Sequence, residues 1–252
     1  QRVATRRIFS NTNTNTKIYS GCSALIIWGL GTVLMFGSAH AFGRHKFREF
    51  LGPKLFEKEL NNTKSEADQA SADFPPFTID DDPLSNALQA RLAPCKFQGG
   101  TIVILYPPDS GKTNRAKIVC GKLQKATKIR GSIYVDFQKC TVQPDEYFFN
   151  IFGMHHQLDD LDKFVVSNKN TDAPVVFILD HVDTCIDKAR EKLTKLVHVL
   201  TKRSTNRKVQ GQKFIVLVLC NQPNMAVNIL SINGGRKVRL LAHGKALNGG
   251  DP

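Results

Sequence analysis

Two apolar runs without a polar residue, Val175–Leu179 and Phe214–Leu219, restrict the fold more than any other feature of this sequence. A strand with one face in water alternates polar and apolar side chains, whereas a strand of a parallel sheet is buried on both faces and does not alternate. The two runs are therefore predicted to be inner strands of a parallel sheet. Because parallel strands are joined by crossover connections, helices are expected on both faces of that sheet.

The surrounding region, residues 98–242, alternates between strand-like and helix-like segments. The predicted strands are Thr101–Tyr106, Ser132–Phe137, Pro174–Leu179, Phe214–Leu219 and Lys237–Leu241. The predicted helices are Asn114–Lys128, Pro144–His156, Leu158–Ser167, Lys188–Lys202 and Met225–Leu230. This alternation predicts an α/β domain of three layers, with one sheet between two layers of helices.

A short turn between the first predicted strand and the first helix of this region carries a phosphate-binding pattern. It consists of Asp109, Ser110, Gly111, Lys112 and Thr113 and fits the end of GxxxxGK[ST]. In that pattern backbone N–H groups and the lysine hold phosphates, and the hydroxyl binds Mg²⁺. The N-terminus of the following helix directs partial positive charge at the same anion. The turn is therefore predicted to bind a nucleotide.

The apolar run Val175–Leu179 ends in a carboxylate, Asp180. In a parallel sheet such a residue emerges at the C-terminal edge, where ligands bind, and a carboxylate there can hold the water shell of Mg²⁺. His181 follows and could accept a proton from water, because the unperturbed pKa of imidazole is close to neutrality. Asp183 is the alternative candidate for that role.

Together these residues resemble the AAA+ and STAND branch of the P-loop ATPases, and most of all its archaeal-type ATPases. The resemblance covers residues 98–242 and rests on SGKT at 110–113, SIYVD at 132–136, FILDHVD at 177–183 and LVLCNQP at 217–223. It implies a P-loop fold with a five-stranded parallel sheet of order 5-1-4-3-2 that binds ATP and Mg²⁺. It also implies that Lys112 holds the β- and γ-phosphates, that Thr113 and Asp180 hold Mg²⁺, and that Asn221 senses the γ-phosphate.

Two departures from the family pattern leave the activity open. Tyr106 stands where the first glycine of the phosphate-binding pattern is expected, and His181 replaces the usual water-activating glutamate. Pro107 and Pro108 also supply no backbone N–H donors. One interpretation is an ATPase, which hydrolyses ATP to ADP and phosphate, or an ATP-dependent switch. The alternative is a catalytically degenerate scaffold or accessory subunit of an organellar membrane complex.

The segments before residue 98 are predicted to be appendages of this domain. Residues 1–18 are basic and are interpreted as a targeting segment. Residues 19–42 contain no charged side chain and predict a transmembrane helix or signal-anchor, with a cleaved targeting signal as the other interpretation. Residues 43–97 are interpreted as an acidic, proline-containing linker and residues 243–252 as a tail. An organelle membrane is therefore expected, the mitochondrial inner membrane first and a plastid as the alternative.

The formal net charge of +13 raises the question of a polyanionic partner. Because the lysines and arginines of the domain are scattered, nucleic acid is considered an unlikely partner, although a basic loop before the fourth strand leaves it open. Other proteins of a membrane complex are expected partners. The six cysteines form no CxxC pair, so a zinc site is not expected.

Overall fold

The computed structural model describes residues 42–72, 82–92, 97–152, 161, 173–185, 187–205, 213–233 and 237–242. The chain divides into two compact units, residues 1–48 and 49–252. Of the first unit only the start of one helix lies in the described part. The helices are α1 (Phe42–Ala72), α2 (Pro83–Arg91), α3 (Lys112–Lys125), α4 (Pro144–Ile151), α5 (Asp187–Ser204) and α6 (Pro223–Asn233). The strands are β1 (Thr101–Leu105), β2 (Gly131–Asp136), β3 (Val175–Asp180), β4 (Phe214–Cys220) and β5 (Val238–Ala242).

The five strands form one parallel sheet of order β2-β3-β4-β1-β5, which confirms the predicted order. Thr101 of β1 lies beside Val216 of β4 and Val238 of β5. Every residue of β3 and β4 is buried, as the two uninterrupted apolar runs predicted. The predicted limits of the five strands agree with the structure to within one or two residues. Most of the helix predicted at Leu158–Ser167 lies outside the described residues.

Alternate residues of each inner strand pack into two different hydrophobic clusters, one on each face of the sheet. Val175, Phe177 and Leu179 of β3 belong to the cluster that also contains buried residues of α4, α5 and α6. Val176 and Ile178 belong to the cluster formed with α2 and α3. The domain therefore has the three predicted layers, and the loops that follow the strands meet at the C-terminal edge of the sheet.

Helix α1 lies along β2, the edge strand of the sheet. The hydroxyl of Thr63 accepts a hydrogen bond from the Ser132 N–H at 2.8 Å and lies 2.9 Å from the Ser132 carbonyl oxygen. An exposed strand edge carries unpaired backbone groups that invite association, so this contact covers a vulnerable edge. The buried side chains Phe56 and Leu60 join the cluster on one face of the sheet.

This packing differs from the interpretation of residues 43–97 as a linker. Three acidic side chains of α1 pair with basic residues of the sheet domain. Glu66 lies 3.4 Å from Lys117, and Asp68 lies 2.7 Å from Lys125. Glu57 forms a further ion pair with Arg130. The acidic, proline-containing composition was interpreted as a linker because the sequence does not show where the partners of these charges lie.

The predicted fold class included a transmembrane helix, and this part of the prediction is wrong. Within the ranges that the structure describes, no helix is long and apolar enough to cross a membrane. The longest of them, α1, spans 31 residues but carries charged side chains throughout its second half. The segment to which the span was assigned, residues 19–42, lies outside the described residues except for Phe42. The predicted location in an organelle stays a prediction.

Candidate nucleotide-binding site

The turn between β1 and α3 has the backbone conformation that a phosphate-binding turn requires. Gly111 has φ 72° and ψ 15°, in the left-handed region, and directly precedes the first residue of α3. Asp109 also has a positive φ, 56°. The N–H of Arg115 donates to the Gly111 carbonyl at 2.9 Å and starts the helix. The N–H groups before it have no partner within the helix and remain available to an anion.

Lys112 and Asn221 face each other across the end of the sheet. The Lys112 Nζ donates a hydrogen bond to the Asn221 Oδ1 and lies 3.4 Å from the Pro107 carbonyl oxygen. Asn221 immediately follows β4, so the lysine of the turn and a polar residue at the end of a neighbouring strand meet at one edge of the sheet. The lysine is 8% exposed, which places its charge inside the site and away from bulk water.

The Asp180 carboxylate is held by donors from three sides. Its Oδ2 accepts from the Thr113 hydroxyl at 2.6 Å and from the Tyr134 hydroxyl at 2.9 Å. Its Oδ1 accepts from the N–H of His181 at 2.8 Å. Asp180 is 1% exposed, and these three hydrogen bonds offset the free-energy cost of burying its charge. The hydroxyl and the carboxylate expected to hold Mg²⁺ are therefore in direct contact.

These residues surround a cavity of about 430 Å³. The residues that line it are Pro108, Asp109, Gly111, Lys112, Thr113, Asn114, Asp180, His181 and Asn221. The Ser110 Oγ is buried and has no hydrogen-bond partner among the described residues. An orphaned hydroxyl beside a lysine and a helix N-terminus suits an anionic ligand. The oxygen ligands Thr113 and Asp180 suit a hard divalent cation, so the residues present fit a nucleotide with Mg²⁺.

His181 lies on the cavity wall, and its ring is tied to a second carboxylate. Its Nδ1 lies 2.9 Å from the Asp136 Oδ1, and its backbone is left-handed at φ 53°. Asp136 ends β2 and is the register partner of Asp180 in β3. Sequence reasoning did not select Asp136 as a site residue. The sequence did contain a signal for Asp136, however, because SIYVD and FILD each end in aspartate and form adjacent strands.

Asp183 is placed behind Asn221 and is not among the residues that line the cavity. Its Oδ2 accepts from the Asn221 N–H at 2.6 Å, and its Oδ1 accepts from the Gln222 N–H at 3.3 Å. Both carboxylate oxygens therefore hold the turn after β4. This arrangement supports a role in placing Asn221 and leaves the predicted contact with water without a geometric basis.

Tyr106, at the position of the missing glycine, does not line the cavity. Its side chain is 8% exposed and packs in the cluster formed with α2 and α3, and its N–H donates to the Cys220 carbonyl at 3.2 Å. A tyrosine at this position thus leaves the cavity open. Tyr134, which the sequence did not identify as a site residue, has a pKa raised by burial and by the neighbouring Asp180 carboxylate, so its hydroxyl remains a donor.

Comparison with solved structures gives distant likenesses. The Aeropyrum pernix ORC2 protein in its ADP form is 13% identical over 67% of this chain and 49% of that chain, with a TM-score of 0.49. Drosophila ORC bound to GC-rich DNA and Cdc6 is 12% identical over 96% of this chain and 36% of that chain, with a TM-score of 0.45. The DnaC helicase loader is 13% identical over 67% of this chain and 93% of that chain, with a TM-score of 0.37. The chain thus spans about half the length of the first of these.

No curated protein matches the chain in sequence. The profile of the ATPase family associated with various cellular activities (AAA) matches residues 102–239. That stretch covers more than half of the 252 residues and contains the turn, all of β3 and β4, and Asn221. The chain therefore belongs to the AAA family of P-loop ATPases.

Proposed function

We propose that the protein binds ATP together with Mg²⁺ in this cavity and acts as an ATP-dependent switch with slow hydrolysis. The observation that carries the proposal is the 2.6 Å hydrogen bond between the Thr113 hydroxyl and the Asp180 carboxylate. These residues lie 67 positions apart in the chain, and nothing but the fold brings them together. The contact joins the phosphate-binding turn to the carboxylate that ends β3, which is the arrangement a metal–nucleotide site needs.

The phosphate groups would be held by charge and by backbone donors. Lys112 would leave Asn221 and turn to the β- and γ-phosphates, since an ammonium group binds a phosphate more strongly than an amide oxygen. The N–H groups at the start of α3 and the Ser110 hydroxyl would add neutral donors. Pro107 and Pro108 provide no N–H, so the cradle has fewer donors than in the complete pattern.

Thr113 and Asp180 would hold Mg²⁺, which when bound neutralises charge on the phosphate oxygens. Asn221, released from Lys112, would be free to contact the terminal phosphate. Its position depends on Asp183, which holds its backbone N–H. The sequence contains no guanine-reading Asn/Thr-Lys-x-Asp motif, which favours ATP over GTP.

Slow hydrolysis follows from the residue beside Asp180. The family's glutamate is replaced by His181, and the ring of His181 is held by Asp136. A proton on Nδ1, directed at this carboxylate, leaves Nε2 as the one ring atom that can accept a proton from water. Among the described residues that line the cavity, Asp109 and Asp180 are the only carboxylates. Asp109 belongs to the phosphate-binding turn and Asp180 is assigned to the metal, so water activation would depend on the Nε2 of His181.

Binding of a fluorescent ATP analogue to the purified protein tests the proposal. We expect saturable binding in the presence of Mg²⁺ and its loss in Lys112→Ala, because this change removes the buried positive charge of the cavity. Lys122→Ala, in the last turn of the same helix, is the matched control and should bind as the unchanged protein does. A folded protein that binds no nucleotide would favour the scaffold alternative.

A further inference from the structure

Tyr134 connects the metal-binding carboxylate to a helix that lies outside the region matched by the AAA family. Its hydroxyl donates to the Asp180 Oδ2 at 2.9 Å, on the same oxygen that Thr113 contacts. The Lys117 Nζ lies 4.0 Å from the centroid of the Tyr134 ring, in a cation–π contact. The family match begins at residue 102, so the helix α1 lies outside the matched residues.

The other side of Lys117 is held by α1. Its Nζ lies 3.4 Å from the Glu66 Oε2, and both side chains are partly shielded from water. The helix itself is fixed near this point by two close contacts. Thr63 bonds the backbone of Ser132 in β2, and Gly121 of α3 leaves no room for a side chain beside Ala67. Glu66 is therefore held in place, and it holds Lys117 over the tyrosine ring.

The hydroxyl of Tyr134 can act only as a donor toward Asp180. A carboxylate offers only acceptor atoms, so the hydrogen atom of the 2.9 Å contact comes from the tyrosine. A neutral hydroxyl that donates to a carboxylate fixes the rotation of that carboxylate. Residues that bond the ligands of a metal in this way orient them and raise metal affinity.

We propose that Tyr134 is a positioning residue that holds the Asp180 carboxylate ready for the divalent cation, and that α1 supports it through Glu66 and Lys117. The proposal rests on the proposed function of the same site. It makes α1 part of the nucleotide site although none of the side chains described for this helix lines the cavity. A partner or a modification that moved α1 would then change the affinity for the metal–nucleotide complex.

The test compares nucleotide affinity with and without the metal. The dissociation constant of the fluorescent ATP analogue is measured on the full chain in Mg²⁺ and in EDTA, for the unchanged protein, Tyr134→Phe and Tyr147→Phe. Phenylalanine keeps the ring under Lys117 and removes only the hydroxyl. We expect Tyr134→Phe to weaken binding in Mg²⁺ by about 10-fold and to leave binding in EDTA unchanged. Tyr147→Phe, which removes a hydroxyl from α4, should match the unchanged protein in both solutions.

Three other results would overturn the proposal. Equal affinities of Tyr134→Phe and the unchanged protein in Mg²⁺ would show that the hydroxyl does not position Asp180. An equal loss in Mg²⁺ and in EDTA would show a general structural role. Failure of the unchanged protein to bind nucleotide in either solution would overturn the proposed function, and the role of Tyr134 with it.

A second pair of variants tests the role proposed for α1. Glu66→Gln removes the charge that holds Lys117, whereas Asp68→Asn removes a charge of the same helix that pairs with Lys125 instead. We expect Glu66→Gln to weaken binding in Mg²⁺ by less than Tyr134→Phe does, and Asp68→Asn to leave it unchanged. Equal binding by the two variants would overturn the role of α1.

Discussion

The Asp183 Oδ2 accepts a hydrogen bond from the backbone N–H of Asn221 at 2.6 Å, which joins the loop after β3 to the loop after β4. The second oxygen of the same carboxylate accepts from the Gln222 N–H at 3.3 Å. A side chain that the sequence offered as a catalytic candidate is thus used to place another site residue. The relationship explains why Asn221 meets Lys112 although no element of secondary structure contains it.

Asp183→Asn should therefore destabilise the protein and weaken nucleotide binding. Asparagine has one acceptor oxygen, so its amide group would face an N–H of the turn and leave a donor unpaired. We expect a loss of about 1–3 kcal/mol in the free energy of unfolding, measured by urea denaturation. Asp68→Asn, on the exposed side of α1, is the control. Unchanged stability together with lost hydrolysis would instead return Asp183 to a catalytic role.

His181→Ala should slow hydrolysis and leave ATP binding in place. Among the described residues that line the cavity, the side chains that can accept a proton are His181, Asp109 and Asp180. A positioned group of this kind contributes roughly 100-fold or more to a rate. Phosphate release in single-turnover reactions measures the effect. His198→Ala, on α5, is the control. If His181→Ala hydrolyses ATP as fast as the unchanged protein, then water is activated by another group.

The alternation of strands and helices and the phosphate-binding turn could be predicted because both depend on local sequence, whereas the order of the strands was implied only by the family resemblance. The runs that became β3 and β4 have no polar residue, and such uninterrupted apolar runs are typical of strands that are buried on both faces. Lys112, Thr113 and Asp180 follow from the spacing of short motifs. The limits of the strands were predicted without knowledge of tertiary contacts, and they agree with the structure within one or two residues.

The role of α1 and the full set of site residues could not be predicted because they depend on contacts between distant segments. Glu66 and Lys117 lie 51 positions apart, and neither has a sequence context that identifies the other as its partner. The same holds for Tyr134 and Asp180, which are 46 positions apart. An acidic segment is interpreted as solvent-exposed when the basic residues that pair with it are unknown. Likewise, a tyrosine in a strand is interpreted as a core residue when the hydrogen bond of its hydroxyl is unknown.

Thr63→Val should reveal how much the contact of α1 with the edge strand β2 contributes to stability. Valine has nearly the shape of threonine but cannot pair with the backbone of Ser132, whose buried groups would lose a partner. We expect a loss of about 1–3 kcal/mol in the free energy of unfolding. In Thr194→Val the lost bond is only to the Arg190 carbonyl within α5, so its effect should be smaller. Equal effects would mean that α1 does not protect β2.

The stability of the protein should fall as the pH rises above 9. Burial raises the pKa of the Cys120 thiol from 9.0 to about 12, because a buried thiolate is poorly solvated. Above pH 9 the unfolded chain releases this proton and the folded chain keeps it, so unfolding is favoured and the contribution is lost up to pH about 12. The slope from one such group is at most about 1.4 kcal/mol per pH unit.

Cys120→Ala should flatten this dependence, as measured by urea unfolding below pH 9 and again between pH 9 and about 12. The half-buried Cys140 provides the control, because its pKa is raised less and Cys140→Ala should keep most of the slope. The buried Cys185, with a pKa raised to about 11, leaves part of the dependence in both variants. Identical slopes in Cys120→Ala and the unchanged protein would contradict the assignment.

Gly121→Ala should separate α1 from α3, because an added Cβ would lie 2.1 Å from the Cβ of Ala67. Overpacking of this kind destabilises by about 1–3 kcal/mol, against a gain of about 1 kcal/mol in helix propensity. Ala67→Gly removes the opposing methyl group, so Gly121→Ala combined with Ala67→Gly should be more stable than the two separate effects predict. Ala70→Gly, on the same helix, should give no such rescue. If the combined free energies of unfolding are simply additive, the two helices do not pack through Gly121 and Ala67.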